Sequence, residues 1–339
     1  MAGKLPSRKI QLKPIPFGKI FKREKKSRRR STRGGSGRLL FSDRGGSVSY
    51  GPVLLFVAVL AAAAALFALQ RQRGLPVIPA DVNETEGFRS MQLSEKVIES
   101  MERISAQTDE SRYKILAVLM AASGFRTDSH MPDGRTDGRL PVSLEEYDAW
   151  REYYERIQEG RLSLLEQSYS TLLSDLVYFP VMKSSRREEN GVSYADSWFA
   201  ERAYQDKKHA HEGTDIMALN NERGYYPIVS MTDGVVENLG WLEKGGYRVG
   251  IRSPHGAYFY YAHLYRYAEG LEKGDSVKAG QLLGFMGDSG YSKVEGTVGN
   301  FDVHLHLGIY MKTEHYEEIS VNPYWILRWV EEEKVVGDY

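Results

Sequence analysis

Three kinds of apolar pattern follow one another along this chain. Residues 51–70 read GPVLLFVAVLAAAAALFALQ, an uncharged run of the roughly 20 residues that span the hydrocarbon core of a bilayer. It exceeds the apolar part of a cleaved signal, about 7–15 residues, and predicts one transmembrane helix over 50–70. Between residues 90 and 123 the spacing becomes helical. Met91, Val97, Ile98, Met101 and Ile104 are followed by Ile115, Leu116, Val118, Leu119 and Met120, with a break near Asp109 and a stop at Gly124. The polar stretch 127–139, with Pro132-Asp133-Gly134, reads as a loop. Ser143 with Glu146 three residues later has the form of a capping box. It opens a helix running to about Leu176, with Gly160 as its candidate break.

The third pattern is strand-like. In 302–310, Val303, Leu305, Leu307 and Ile309 fall on one face and His304 and His306 on the other. Residues 228–231 and 235–236 flank Asp233-Gly234, and 277–286 reads as a further strand. Residues 247–252 and 258–264 flank Ser253-Pro254-His255-Gly256 as a hairpin. The fold class is therefore α+β. A C-terminal antiparallel sheet domain over 177–330 follows a linker (74–89), a helical spacer (90–176) and the single membrane helix.

Candidate chemistry gathers in the strand-rich part. His211-Glu212-Gly213-Thr214-Asp215 and His304-Leu305-His306 supply three residues suited to a zinc ion, with Tyr261-Ala262-His263-Leu264 between them. A hydrolytic zinc needs three protein ligands and an open position. The two imidazoles of the H-x-H pair stand roughly 7 Å apart at their Cα atoms, so one can bind a metal while the other faces substrate. Gly213 suits a bend better than a helix interior, which places His211 and Asp215 on a strand end or loop. The helical H-E-x-x-H pattern is absent. An isolated H-x-H is more often a polar face of a strand; the joint occurrence of the three motifs carries the reading. His209 reads as an exposed polar residue, His255 as part of a turn, and His130 and His315 as needing no function. Asp302 reads as a solvated carboxylate, and Glu212, beside His211, receives no role.

These motifs resemble the lysostaphin-type zinc metallo-endopeptidases, peptidoglycan peptidases with a duplicated hybrid motif fold. Their pattern is H-x-x-x-D, then H in a Y-x-H-L context, then H-x-H. The flanks Tyr178-Phe179-Pro180-Val181, Asp196-Ser197-Trp198 and Gly287-Asp288-Ser289-Gly290 also fit. The resemblance implies one Zn²⁺ held by His211, Asp215 and His306, with His263 and His304 as unliganded catalytic histidines whose individual roles stay open. It implies an antiparallel domain with a groove across one face; Tyr225, Tyr226, Tyr258, Tyr260 and Tyr261 either line that groove or pack the core. Phe199 stands where such relatives would carry glycine, and the stretch 290–300 is long for the loop before H-x-H. Some relatives lack a site residue and serve as scaffolds; here all five are present.

Charge separates the two ends of the chain. Residues 1–46 carry fifteen Lys and Arg against Glu24 and Asp43, a balance of +13, so with zero net charge the rest carries −13. The tail reads as disordered. Beside a membrane span it acts as a topology signal and lipid attractant rather than as a nucleic-acid binder. The positive-inside rule puts the N-terminus in the cytoplasm and residues 74–339 outside a single-pass anchor in the cell membrane. Absence of cysteine excludes disulfides, thiol catalysis and cysteine zinc sites. The expectation is thus a membrane-anchored zinc endopeptidase acting on peptidoglycan, with the helical spacer free to meet an envelope protein partner. The alternative is a binding or scaffold module of a membrane complex that uses the same fold without cleavage.

Overall fold

The computed structural model describes residues 75–126, 140–141, 143–186, 191–204 and 207–339. The basic tail, the uncharged run 50–70, the loop 127–139 and His130 lie outside them. Among the described residues no helix is long and apolar enough to cross a membrane. The described part is mixed helix and antiparallel sheet.

A 3-10 turn at Val82–Glu84 leads into α1 (Glu86–Arg89), α2 (Glu95–Ser105), α3 (Arg112–Ala122) and α4 (Leu144–Leu173). In α2, Val97, Met101 and Ile104 form one buried stripe. In α3 every residue from Ile115 to Ala122 is buried, the mark of a helix enclosed on all sides. Ser143 Oγ accepts the Glu146 N–H at 3.2 Å and so caps α4.

The break in α4 falls at Gln158 (φ −143°, ψ 34°), not at Gly160. Its cause is tertiary: Gln158 Oε1 accepts the Ile78 N–H at 2.7 Å, and Arg161 donates to the Ile78 carbonyl at 2.7 Å. The Tyr154 hydroxyl donates to the Pro76 carbonyl at 3.1 Å. The segment read from sequence as a linker over 74–89 is therefore, from residue 75 on, a strap lying along α4. Ile78 and Phe88 are fully buried within it.

The strands are β1 (Lys183–Ser184), β2 (Val192–Ser193), β3 (Glu201–Tyr204), β4 (Lys207–Ala210), β5 (Thr214–Ala218), β6 (Pro227–Val229), β7 (Gly234–Leu242), β8 (Gly246–Arg252), β9 (Tyr258–Tyr267), β10 (Ser276–Val277), β11 (Leu282–Met286), β12 (His304–Met311), β13 (Ile319–Val321) and β14 (Val336–Gly337). The main sheet runs β10-β7-β8-β9-β12-β5-β2, with β11 bridging β9 and β6, and β13 on β12. β3 and β4 form a separate hairpin, and β14 pairs in parallel with β1, so the sheet domain continues past residue 330. Helix α5 (Pro323–Trp329) is capped by the Asn322 side chain. The single strand read over 277–286 is two. Between β10 and β11 the chain turns through Gly280 (φ +80°), and the Asp233 carboxylate accepts from Ala279 N and Lys278 Nζ, both at 2.8 Å.

The helical layer packs directly on the sheet, and one continuous cluster of buried side chains runs through both. Phe88 meets Tyr169 at 5.1 Å between ring centroids. Arg89 donates to the Ser320 carbonyl at 2.8 Å, and its own carbonyl accepts the Asn322 N–H at 2.8 Å. His255 and His315 join the same contact. His255 Nδ1 and backbone N both sit 2.7 Å from the Asp175 carboxylate, and His315 Nδ1 is 3.1 Å from Glu84. The turn histidine is thus a tie between layers.

Gly160 is exposed, and a Cβ built there meets nothing within 4 Å. With the break located at Gln158, Gly160→Ala is expected to stabilise the protein by up to about 1 kcal/mol, the helix-interior difference between the two residues. Urea unfolding checks this; a destabilised variant would place the break at Gly160 after all.

Candidate active site

Strand β12 lies between β5 and β9 and delivers two of the five histidines and acids at issue. His306 stands opposite Asp215 on β5 and opposite Ala262 on β9, while His304 stands opposite Met217. Directly opposed residues share a face, so Asp215 and His306 meet although 91 positions separate them. Leu305, Leu307 and Ile309 point the other way and are fully buried. His211 enters from the segment between β4 and β5. Its backbone pairs with the 197–200 loop, Phe199 N to His211 O at 2.8 Å and His211 N to Ala200 O at 2.9 Å. Phe199 sits there at φ +61°, the left-handed conformation that favours glycine, which accounts physically for the glycine expected at this position. The Arg89 guanidinium covers the loop, 5.5 Å from the Trp198 ring centroid and 5.1 Å from that of Phe199.

His211, Asp215 and His306 form a compact donor set, with one ligand atom of each within 4.8 Å of the others. His211 Nε2 is 3.0 Å from Asp215 Oδ1 and 3.0 Å from His306 Nδ1, which is itself 3.0 Å from Oδ1. The Ser197 carbonyl, 3.0 Å from His211 Nδ1, can only accept, so that nitrogen carries the proton. The His211 Nε2 faces a carboxylate oxygen and a second imidazole nitrogen. Two imidazole nitrogens and a carboxylate oxygen converging in this way make a donor set that suits zinc. Burial pushes the Asp215 carboxyl up, but its close polar contacts with the His211 and His306 rings and the other neighbouring imidazole outweigh it and hold the group well below the usual carboxylate range. Its outer oxygen, Oδ2, accepts from Arg202 Nη2 at 2.9 Å.

His263 and His304 are buried beside this set, their ring centroids 4.7 Å apart. Each donates from Nδ1 to a backbone carbonyl, His263 to Ser289 at 2.8 Å and His304 to Asp302 at 2.7 Å. Each therefore keeps Nε2 unprotonated when neutral. Burial, then the nearby imidazoles, push His263 well below its ordinary pKa; burial also lowers His304, against the opposing pull of Asp215. The Asp302 carboxylate does not orient His304; it accepts from Asn221 at 3.1 Å. His263 has φ +63°. It occupies a register shift where β9 faces β8, with Tyr247 opposite Leu264 but Val249 opposite Tyr261. The bulge re-aims the imidazole out of the strand's alternation.

The site opens into two adjoining depressions of about 470 and 520 Å³. Arg202, Asp215, Phe301 and His304 line both. The aromatic walls are Tyr291 and Phe301, which pack on His263 at 5.9 and 4.7 Å. Of the tyrosines read as either groove or core, Tyr226 and Tyr261 are core residues. Residues missed in the sequence are Arg202, Tyr291, Phe301 and the carbonyls of Ser197 and Ser289. The long 290–300 loop signalled Tyr291, and the flanks Asp196-Ser197-Trp198 and Gly287-Asp288-Ser289-Gly290 held the two serines without assigning their carbonyls a role; nothing signalled Arg202 or Phe301. His209 is half-buried with its Nδ1 unpartnered, not an exposed residue. Glu212 is exposed.

Comparison with known proteins places the same region in a family. The family model described as peptidase family M23 matches residues 209–323. The L-Ala–D-Glu endopeptidase of Bacillus subtilis is 42% identical over 136 residues, 40% of this chain and 40% of that enzyme. Lysostaphin of Staphylococcus simulans is 35% identical over 68 residues, 20% of this chain and 13% of its own. The crystal structure of a candidate glycyl-glycine endopeptidase, LytM, from Ruminococcus gnavus is 43% identical with a TM-score of 0.62, covering 76% of this chain and 96% of that one. The chain belongs to peptidase family M23. It spans less than half the length of the curated relatives it matches.

A Cβ on Gly213 would lie 2.5–2.6 Å from the His306 ring and the Leu307 carbonyl. Gly213→Ala therefore displaces His306 without deleting any donor. Zinc affinity is expected to fall about tenfold or more, the usual cost of disturbing ligand support. Competition with a chromogenic chelator measures it; wild-type affinity in this variant would exclude His306 from the donor set.

Proposed function

We propose that this chain is a membrane-anchored zinc metallo-endopeptidase that cleaves peptide bonds in peptidoglycan. The observation that carries the reading is the convergence of His211, Asp215 and His306 beside two imidazoles with free Nε2 atoms at one groove. Family membership supports the hydrolase class, and the names of the relatives support cell wall as the substrate.

In this reading His211 Nε2, Asp215 Oδ1 and His306 Nδ1 hold the ion. Bound zinc supplies Lewis acidity and lowers the pKa of water toward 7. The Ser197 carbonyl keeps the His211 lone pair aimed, and Arg202 holds Asp215 by its outer oxygen. His263 and His304 handle protons. A neutral imidazole with its Nδ1–H tied to a carbonyl can take a proton at Nε2 from the attacking water and pass it to the leaving amide nitrogen. The same imidazole, once protonated, donates to oxygen carrying developing negative charge. Tyr291 and Phe301 shield His263 from bulk water, which strengthens both effects.

Zinc analysis joined to digestion of purified cell wall, with mass analysis of the products, tests the proposal. His211→Ala, Asp215→Ala and His306→Ala should each drop zinc well below one per chain. His263→Ala and His304→Ala should keep the metal and lose about 10²-fold or more in rate. Wild-type digestion by either of the last two would sink the mechanism and favour a non-cleaving role.

Anchoring rests on the uncharged run 51–70 behind a tail of +13. Protease added outside intact spheroplasts should remove the region after Arg73 and spare the tail; the reverse pattern would overturn the topology.

A further inference from the structure

Arg202 occupies an unusual position for a cation. It sits on strand β3, outside the main sheet, yet forms part of the wall common to both depressions that flank the donor set. A peptide laid from one depression to the other crosses it. One N–H of its guanidinium is committed, Nη2 to Asp215 Oδ2 at 2.9 Å, while 41% of its side chain remains exposed. A guanidinium offers five donors in a planar fork.

The other nearby acids make no ion pair with it. Glu201 pairs with Lys208 at 2.8 Å, Glu212 acts on Arg89, and Asp302, which lines one of the depressions, takes its hydrogen bond from Asn221. Asp215 is its one carboxylate partner among the described residues, and that charge is shared with whatever cation the donor set holds. The groove therefore presents a guanidinium fork next to the reacting centre, the one Arg or Lys among the described residues that line either depression. A neutral glycine bridge has nothing to meet it; a peptide with a free carboxylate does.

We propose that Arg202 is a specificity-determining residue that binds a substrate carboxylate on the residue adjoining the scissile bond, so that the enzyme selects acidic peptides. This rests on the peptidase reading above and narrows it to a substrate class.

The test uses L-alanyl-D-glutamyl-L-lysine with its remaining glutamyl carboxylate either free or amidated. kcat/KM is measured on the zinc-loaded protein, and binding to the metal-free protein by calorimetry. The wild type should favour the acid about tenfold or more by both measures, as for a charge-assisted pair. Arg202→Gln should bring both ratios close to one. Arg202→Lys, which keeps charge beside Asp215 but lacks the fork, should fall between. Because each readout is a ratio, general damage to the site cancels, and zinc content checks that the donor set survives. An unchanged ratio in Arg202→Gln overturns the proposal. So does equal treatment of the two peptides by wild type that still digests cell wall, an outcome that leaves the peptidase reading intact. Carboxylate-selective binding by a protein that hydrolyses neither peptide nor cell wall sinks the peptidase reading and leaves Arg202 as a carboxylate site.

Discussion

The antiparallel register of β12 against β5 is the constraint on which the site depends. It sets His306 opposite Asp215 and leaves no freedom for a neighbouring register. A slip of one residue would turn His304 and His306 into the core and Leu305 and Leu307 into the groove. The burial of Val303, Leu305, Leu307 and Ile309, each fully buried aliphatic side chain contributing about 1.5–3 kcal/mol, therefore fixes the geometry of the polar face as well. Core packing and site chemistry are two faces of one strand.

Around that strand, backbone carbonyls do much of the orienting. Those of Ser197, Ser289 and Asp302 each take an Nδ1 proton from His211, His263 and His304. Three imidazoles are thereby held in one orientation, with Nε2 turned toward the site. The supporting loops are themselves held. Ser289 Oγ bridges the Leu264 carbonyl and the Tyr247 N–H, and Asp288 accepts from Gly299 N at 2.8 Å. The loop 197–200 is clamped by Arg89 from the helical layer. Residues at positive φ, Phe199, His263 and Tyr291, gather in the same few elements. Such conformations cost about 1–3 kcal/mol each and persist where surroundings over-determine them.

The helical layer accordingly has a structural part in the site. It contributes no residue to the two depressions among the described residues. It reaches them indirectly, through Arg89 on Trp198 and Phe199 and through Asn322, which donates to Asp196 at 3.1 Å as well as meeting the Arg89 carbonyl. A change in how α1 sits on β13 would be felt at the loop that holds His211.

Sequence alone determined the parts of this protein that obey local periodicity and motif spacing. The helices 95–105 and 112–122, the cap at Ser143, the β8–β9 hairpin and the strand face shared by His304 and His306 follow from side-chain alternation and capping chemistry, which need no distant partner. The family was legible for the same reason, since its motifs are short and ordered. Tertiary structure decided whatever depends on residues far apart in the chain. Gln158 breaks α4 because Ile78 presents an N–H to it from 80 positions away. The segment after residue 75 is a strap and not a linker because α4 offers it a surface. His263 leaves its strand's alternation because β8 and β9 are mismatched by one residue there. Arg202 becomes part of the groove only because the β3–β4 hairpin folds back over Asp215. In each case the deciding interaction spans a loop closure that no local pattern encodes.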